Sequence, residues 1–298
     1  MKNILAFAFR RYPLSRILLW RRILRNLHGI TIRDKFALYL SAIMDVARSM
    51  SHPRAPRNPI CKFSCRVYAP DFGVRFHIRG GSDDLYSVLP YREGDAQEAI
   101  LSPLSEGDVF VDVGANVGYY SILASKRVGP LGKVIAIEPF PGTVEQLKRN
   151  INANRVYNVN VIEAAAWSES GKKIAFKFTT GFWGQVKTDA RSEPINDLFM
   201  TSTISIDDIC GSYRYIKVLK LDIEGAEYEA LKGAKKTLSK VQFLIVECSQ
   251  NQRQIVHLLR EMGFQVKKLN FTTYILAERK PAKQNDRGAP LERKHLGC

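Results

Sequence analysis

From residue 108 onward the chain alternates short, nearly unbroken apolar runs with stretches whose apolar residues recur every three or four positions. Apolar runs of five to eight residues read as strands buried on both faces, and the intervening pattern reads as the helices that cover them. The spacing predicts strands near 109–113, 133–138, 159–165, 216–222 and 242–248, and helices near 117–127, 141–153, 225–238 and 251–262. A final β-hairpin is expected over 264–278. Strands that alternate with helices imply an α/β fold around a parallel sheet. Residues 168–202, between the third and fourth main strands, keep neither period. This irregular insertion contains Gly181-Phe-Trp-Gly184 and is a candidate lid beside the strand ends.

Upstream, the pattern changes. Residues 1–27 interleave Ile4-Leu-Ala-Phe-Ala-Phe9 and Ile17-Leu-Leu-Trp20 with Arg10, Arg11, Arg16, Arg21, Arg22 and Arg25, and Pro13 should interrupt the helix. Residues 32–50 read as a second helix, and Ser51-His-Pro-Arg-Ala-Pro-Arg-Asn-Pro59 can neither continue it nor join a sheet. Short β-like alternation follows over 62–79, clearest in Gly73-Val-Arg-Phe-His-Ile-Arg79. The chain therefore divides into a basic helical N-terminal extension with a Pro-rich linker (1–60), a small β-rich entrance region (61–107), a main domain (108–278) and a disordered basic tail (279–298).

The net charge of +16 points to an anionic partner until it is divided along the chain. Residues 1–60 carry 12 Lys/Arg against 2 Asp/Glu, and residues 279–298 carry 6 against 2, which leaves the middle at only +2. The ends are suited to membrane headgroups or nucleic acid, while the body handles a substrate that need not be charged. No apolar run approaches the ~20 residues that span a bilayer, and the arginines after the first run do not fit a secretory signal. Two readings of the first segment stay open: a helix lying in a membrane interface with Trp20 at headgroup depth, or a cationic helix docked on the body. Cysteines 61, 65, 210, 248 and 298 form no even framework, and Cys61-x-x-x-Cys65 lacks the partners of a zinc site. The expected location is the cytoplasm, either free or peripheral on the membrane.

The chemistry concentrates at two strand ends. Val109-Phe-Val-Asp-Val-Gly-Ala-Asn-Val-Gly118 runs from a strand through a glycine turn into a helix and carries Asp112 at the strand's end. The Gly114 to Gly118 spacing lacks the three glycines that bring a pyrophosphate against a helix N-terminus, so a dinucleotide is not favoured. Glu138 closes the next strand, 26 residues after Asp112, which suits a carboxylate that holds ribose hydroxyls. A ribose, an amino-acid tail that wants backbone amides, and a cation that tolerates acids together describe S-adenosylmethionine. No phosphate-binding lysine is expected. The second strand end is Lys220-Leu-Asp-Ile-Glu-Gly-Ala-Glu227, which delivers Asp222, Glu224 and Glu227 where open α/β sheets bind ligands. Helix capping accounts for Glu227 but less well for Asp222.

Asp112-Val-Gly-Ala-Asn-Val-Gly-Tyr-Tyr-Ser121, Ile137-Glu-Pro139 with Asn150 to Asn152 downstream, Thr203-Ile-Ser-Ile-Asp-Asp208, and Lys220 to Glu227 followed by Leu-Lys-Gly233 resemble the FkbM family of S-adenosylmethionine-dependent methyltransferases over about residues 80–278. The resemblance implies a class I methyltransferase Rossmann-like fold, a mostly parallel seven-stranded sheet with a C-terminal antiparallel hairpin. It implies O-methylation of a hydroxyl on a glycan, glycolipid or similar small-molecule or lipid-linked acceptor. Carried over, it assigns Asp112, Gly114, Asn116 and Gly118 to the methionine side, Glu138 to the ribose, the Glu163 to Ala165 strand end to the adenine, and Asp222 and Glu224 to the methyl-transfer pocket. Asp222 is the first choice for the base and Glu224 the second, since a cleft carboxylate with raised pKa can take the acceptor's proton. A divalent metal gathered by these acids is the other option. The enzymatic alternative is an RNA methyltransferase whose basic arms grip phosphates, and the non-enzymatic one is a cofactor-binding scaffold.

Overall fold

The computed structural model describes residues 13–51, 58–178, 184–187, 198–270 and 272–279. The expected tail therefore lies outside the described residues except for Arg279, and so do Gly181-Phe-Trp183 of the candidate lid. Pro13 is the first residue of helix α1 (Pro13–Asn26), a position where its missing N–H is no loss. Strand β1 (His28–Gly29) and helix α2 (Ile32–Ser51) follow. Asp34 accepts from the Thr31 N–H and hydroxyl, and Thr31 Oγ1 accepts the Asp34 N–H, a reciprocal cap that starts α2. β1 pairs antiparallel with β2 (Cys65–Ala69), which pairs with β3 (Val74–Ile78). Two short helices, α3 (Asp84–Ser87) and α4 (Asp95–Leu101), lead to the main domain.

That domain runs β4 (Val109–Val113), α5 (Tyr119–Val128), β5 (Lys133–Ile137), α6 (Pro141–Ala153) and β6 (Val159–Ile162). β7 (Ala165–Trp167), β8 (Lys173–Phe178), β9 (Gly184–Lys187), β10 (Leu198–Ser205) and α7 (Ile206–Cys210) come next. The chain ends through β11 (Ile216–Leu221), α8 (Glu227–Lys232), α9 (Lys235–Leu238), β12 (Val241–Glu247), α10 (Gln252–Glu261), β13 (Gln265–Lys268) and β14 (Tyr274–Glu278). Seven strands form the central sheet in the order β13-β14-β12-β11-β4-β5-β6. Only β14 runs against its neighbours, so the expected mostly parallel sheet with a C-terminal antiparallel hairpin is present.

Two sequence expectations are corrected. The apolar run 159–165 is split: β6 stays in the central sheet, while Ala165–Trp167 leaves it to pair with β10 in a second, four-stranded sheet of order β7-β10-β8-β9. The described parts of the insertion 168–202 thus include strands β8, β9 and the start of β10. Its alternation in Lys173-Ile-Ala-Phe-Lys-Phe178 was short enough to escape notice between turn residues. The helix expected over 225–238 breaks at Gly233, where a Cβ would lie 2.2 Å from the Trp167 carbonyl oxygen. Close packing of this turn on β7 overrides helical continuity.

Trp20 separates the two readings left open for the first segment. It is 2 % exposed, sharing one core with Ile23, Leu27, Leu38, Phe76, Phe110 and Tyr119, and its indole N–H donates to Asp45 Oδ2 at 2.8 Å. Arg16 Nε reaches the same oxygen at 3.2 Å. Trp20 is therefore a packing residue, not a headgroup anchor, because α1 turns this face onto α2. Among the described residues no helix is long and apolar enough to cross a membrane. Asn150 links the front of the molecule to the glycine turn: its Oδ1 accepts the His77 N–H of β3 and its Nδ2 donates to the Val117 carbonyl, both at 2.8 Å.

Replacing Asp45 by Ala strips two buried donors of their acceptor. The expected result is a loss of about 2–4 kcal/mol in urea unfolding, with Trp20 fluorescence reporting loosened α1–α2 packing.

Candidate active site

The chain winds from β4 through β5 to β6 at one edge and then returns to β11 on the other side of β4. At this reversal the connections leave β4 and β11 in opposite directions, so a cleft opens beyond their carboxyl ends. It encloses about 920 Å³ including its mouth, a size fitted to a nucleotide-sized molecule.

The glycine turn forms its floor. Gly114 has φ +80°, and a Cβ there would sit 1.9 Å from the Asp222 carbonyl oxygen, so only glycine lets the β4 turn pass against the end of β11. Asn116 also adopts a left-handed φ, +49°. Gly118, at φ +94°, caps α5 from behind, where a Cβ would meet Leu147 Cδ1 at 2.5 Å. Glu138 emerges from the end of β5 and is nearly buried, with Oε2 accepting the Asn116 N–H at 2.9 Å and Oε1 the Phe140 N–H at 3.3 Å. Burial pushes its pKa up to about 7 against those two amides.

The structure brings Gly114, Asn116, Glu138, Ala165, Asp222 and Glu224 to the wall of one cleft. It does not bring Asp112 there: this side chain is fully buried beneath the turn, with Oδ2 accepting from Ser121 Oγ at 2.6 Å. Gly118 is likewise behind the lining. Glu163 is exposed, because β6 ends at Ile162 and the small residues Ala164 and Ala165 face the cavity instead.

Sequence reasoning missed the cation at the centre. Lys220 Nζ lies 3.3 Å from Asp112 Oδ1, 3.5 Å from Asp222 Oδ2 and 3.2 Å from the Gly114 carbonyl oxygen, over the Tyr120 ring. Lys220 pairs with acids here and so does not bear on the expectation that a phosphate-binding lysine is absent. Its signal was visible as a second lysine, after Lys217, in a mainly apolar strand. Tyr274 was not findable by spacing: the C-terminal hairpin carries its hydroxyl to donate to Asp222 Oδ2 at 2.7 Å. Arg92, Glu93, Tyr120 and Glu247 were missed for the same reason. Arg92 lines the cleft, and its buried Nε has no hydrogen-bond partner among the described residues.

These contacts sort the acids. Burial works to raise the Asp222 pKa, but Lys220, the Tyr274 hydroxyl and a hydrogen bond with Glu247 overcome it and hold Asp222 below its ordinary value. Burial beside the Asp222 and Glu227 charges lifts Glu224 to about 7, and burial beside Asp222 lifts Glu247 to about 8. A carboxylate stabilised by a lysine is a weak proton acceptor near neutrality, so these contacts disfavour Asp222 as a base relative to Glu224. Glu224 also has a strained left-handed backbone, φ +55°, followed by Gly225 at φ +104°. Glu227 supports that turn: its Oε1 accepts the Ile223 and Gly225 N–H groups at 3.1 and 3.0 Å. Carboxylate oxygens of Asp222, Glu224 and Glu247 lie within 4.8 Å of one another, near enough to share a hard cation.

Residues 112–271 match the model of the methyltransferase FkbM domain. The hexuronic acid methyltransferase AglP of Haloferax volcanii is 28% identical over 207 residues, 67% of this chain and 82% of that protein. Methyltransferase 1 of Beauveria bassiana is 27% identical over 153 residues, 45% of this chain and 61% of that protein. Among solved structures, the SAM-dependent O-methyltransferase of Thermotoga maritima is 14% identical, with a TM-score of 0.42 over 74% of this chain and 78% of that one.

Gly114→Ala forces the turn off the end of β11. The expected outcome is loss of detectable nucleoside binding by calorimetry together with a lowered unfolding midpoint.

Proposed function

The chain belongs to the FkbM family of S-adenosylmethionine-dependent methyltransferases, and from that premise we propose that it is an O-methyltransferase acting on a hydroxyl of a glycan, glycolipid or similar lipid-linked acceptor. The observation that carries the reading is Glu224, a carboxyl group on the cleft wall whose burial beside Asp222 tunes it to about 7. The relative that acts on a hexuronic acid supports a sugar as the acceptor.

The residues present fit the cofactor. The Gly114–Val117 turn offers a close backbone approach for the amino-acid tail, and Glu138, held by two amides with lone pairs to spare, suits ribose hydroxyls. Ala164 and Ala165 leave a flat, small-walled side for a base. When bound, S-adenosylmethionine supplies a methyl group already activated toward a nucleophile. The protein's part is then alignment and proton removal. Glu224 would take the acceptor's hydroxyl proton as that oxygen displaces the cofactor's sulfur, the leaving thioether, from the methyl carbon. Asp222 stays ionised beside Lys220 and keeps Glu224 basic enough for the task. Arg92 Nε, a buried donor on the same wall, orients an oxygen of the acceptor.

The test is incubation of the purified protein and radiolabelled cofactor with fractionated glycans, lipids and RNA. Label should enter glycan or glycolipid fractions in a base-stable ether linkage, and label confined to RNA would reverse the assignment. At saturating cofactor, kcat/KM for the acceptor should rise with pH through about 7, because Glu224 must lose its proton before it can accept one. Glu224→Gln should remove that limb and lower the rate roughly 10²- to 10⁴-fold while leaving cofactor affinity within severalfold. Glu138→Ala should weaken cofactor binding roughly 10- to 100-fold with little change in the pH limb.

A further inference from the structure

Helix α2 (Ile32–Ser51) is apolar on two opposite faces. One face, with Ala37, Leu38 and Ala42, is buried against α1 and the β1–β2 edge. On the other, Ile32, Phe36, Tyr39, Ile43 and Met50 are 87%, 68%, 56%, 66% and 69% exposed. At roughly 100° per residue these five fall within an arc of roughly 60°, a stripe roughly 27 Å long. Large apolar side chains scattered singly on a surface are ordinary, but five aligned on one helix face mark a surface that something covers.

The charges around the stripe identify the occupant. Arg33 and Lys35 are exposed and flank it on either side, and α1 adds exposed Leu14, Ile17 and Leu18 with Arg21 and Arg25. Asp34 and Asp45 are the only acids between residues 13 and 51, and both are buried: Asp34 by Thr31 and Arg66, Asp45 by Trp20 and Arg16. The accessible charge on this pair of helices is therefore of one sign. We infer that the outer face of α2 is a membrane-docking surface, lying in the headgroup layer of an anionic bilayer with Ile32, Phe36, Tyr39, Ile43 and Met50 inserted and Arg33 and Lys35 on lipid phosphates. A second copy is the poorer occupant, since a two-fold pairing through this stripe sets the same cations against each other. The inference stands apart from the acceptor assignment and places the enzyme on the bilayer by a face other than the one that buries Trp20.

Co-sedimentation of the full chain with vesicles of phosphatidylcholine, with and without phosphatidylglycerol, tests it at low and high salt. Binding should require the anionic lipid and weaken with salt. The Phe36→Glu/Ile43→Glu double variant should lose binding by about tenfold or more while keeping its circular dichroism and cofactor affinity, because both positions are exposed. Arg33→Gln/Lys35→Gln should lose about tenfold at low salt only. A Tyr39→Trp variant should shift its emission to the blue on anionic vesicles, a readout that holds even if the double variant fails to fold. Absence of wild-type binding to anionic vesicles, unchanged binding in the double variant, or a dimer in sedimentation equilibrium that the double variant dissociates would each overturn the assignment.

Discussion

A single buried ammonium organises the reactive end of this protein. Lys220 stands between the ends of β4 and β11, close to Asp112, Asp222 and the Gly114 carbonyl oxygen. Burial opposes its charge, while Asp112 and Asp222 favour it strongly enough that its pKa rises above the ordinary lysine value. The attraction is worth most where water is absent, and it holds only while both acids remain paired. Everything chemical in the cleft is graded from this point outward. Asp222 is held ionised, so the next carboxyls, Glu224 and Glu247, feel a fixed negative neighbour and hold their protons to near neutrality.

Backbone geometry sets where that gradient meets a ligand. The approach of Gly114 to the Asp222 carbonyl oxygen joins the two strand ends into one floor, and the left-handed turn at Glu224 and Gly225 aims the second acidic segment over it. Glu227, which might be mistaken for a third reactive acid, uses its Oε1 on the amides of that turn. The strain at Glu224 is thus balanced by a buried side chain three residues away, and the reactive group inherits a fixed place from a structural one. Asn150 also ties β3 to the same glycine turn, joining the entrance region to the floor of the cleft.

Much of the site was legible because its signals are local. Glycine spacing, acids at strand ends and apolar periodicity located the central sheet, the turn, Glu138, Asp222 and Glu224. Errors arose where a neighbour distant in sequence decided the outcome. Glu163 looked like a ligand-side acid, but β6 stops at Ile162 and the chain swings into another sheet. Trp20 could be read as a membrane anchor or as a packing residue, and only Asp45 of α2 separates the two. Asp222 was the first choice of base on local pattern alone, and it is Lys220 and Tyr274, the latter remote from that pattern, that lower its proton affinity.

What the sequence determined by itself was the identity of the scaffold: alternating strands and helices, a turn that only glycine can make, and carboxylates delivered to the open end of a parallel sheet. Those features follow from side-chain period and backbone sterics, which act over a few residues. Only the tertiary structure decided which acid has its proton affinity lowered, which have it raised and which faces solvent. Proton affinity in a buried cluster depends on the distance to charges and hydroxyls that other parts of the chain bring in, and Tyr274 and Asp222, 52 residues apart, meet only after the hairpin folds back.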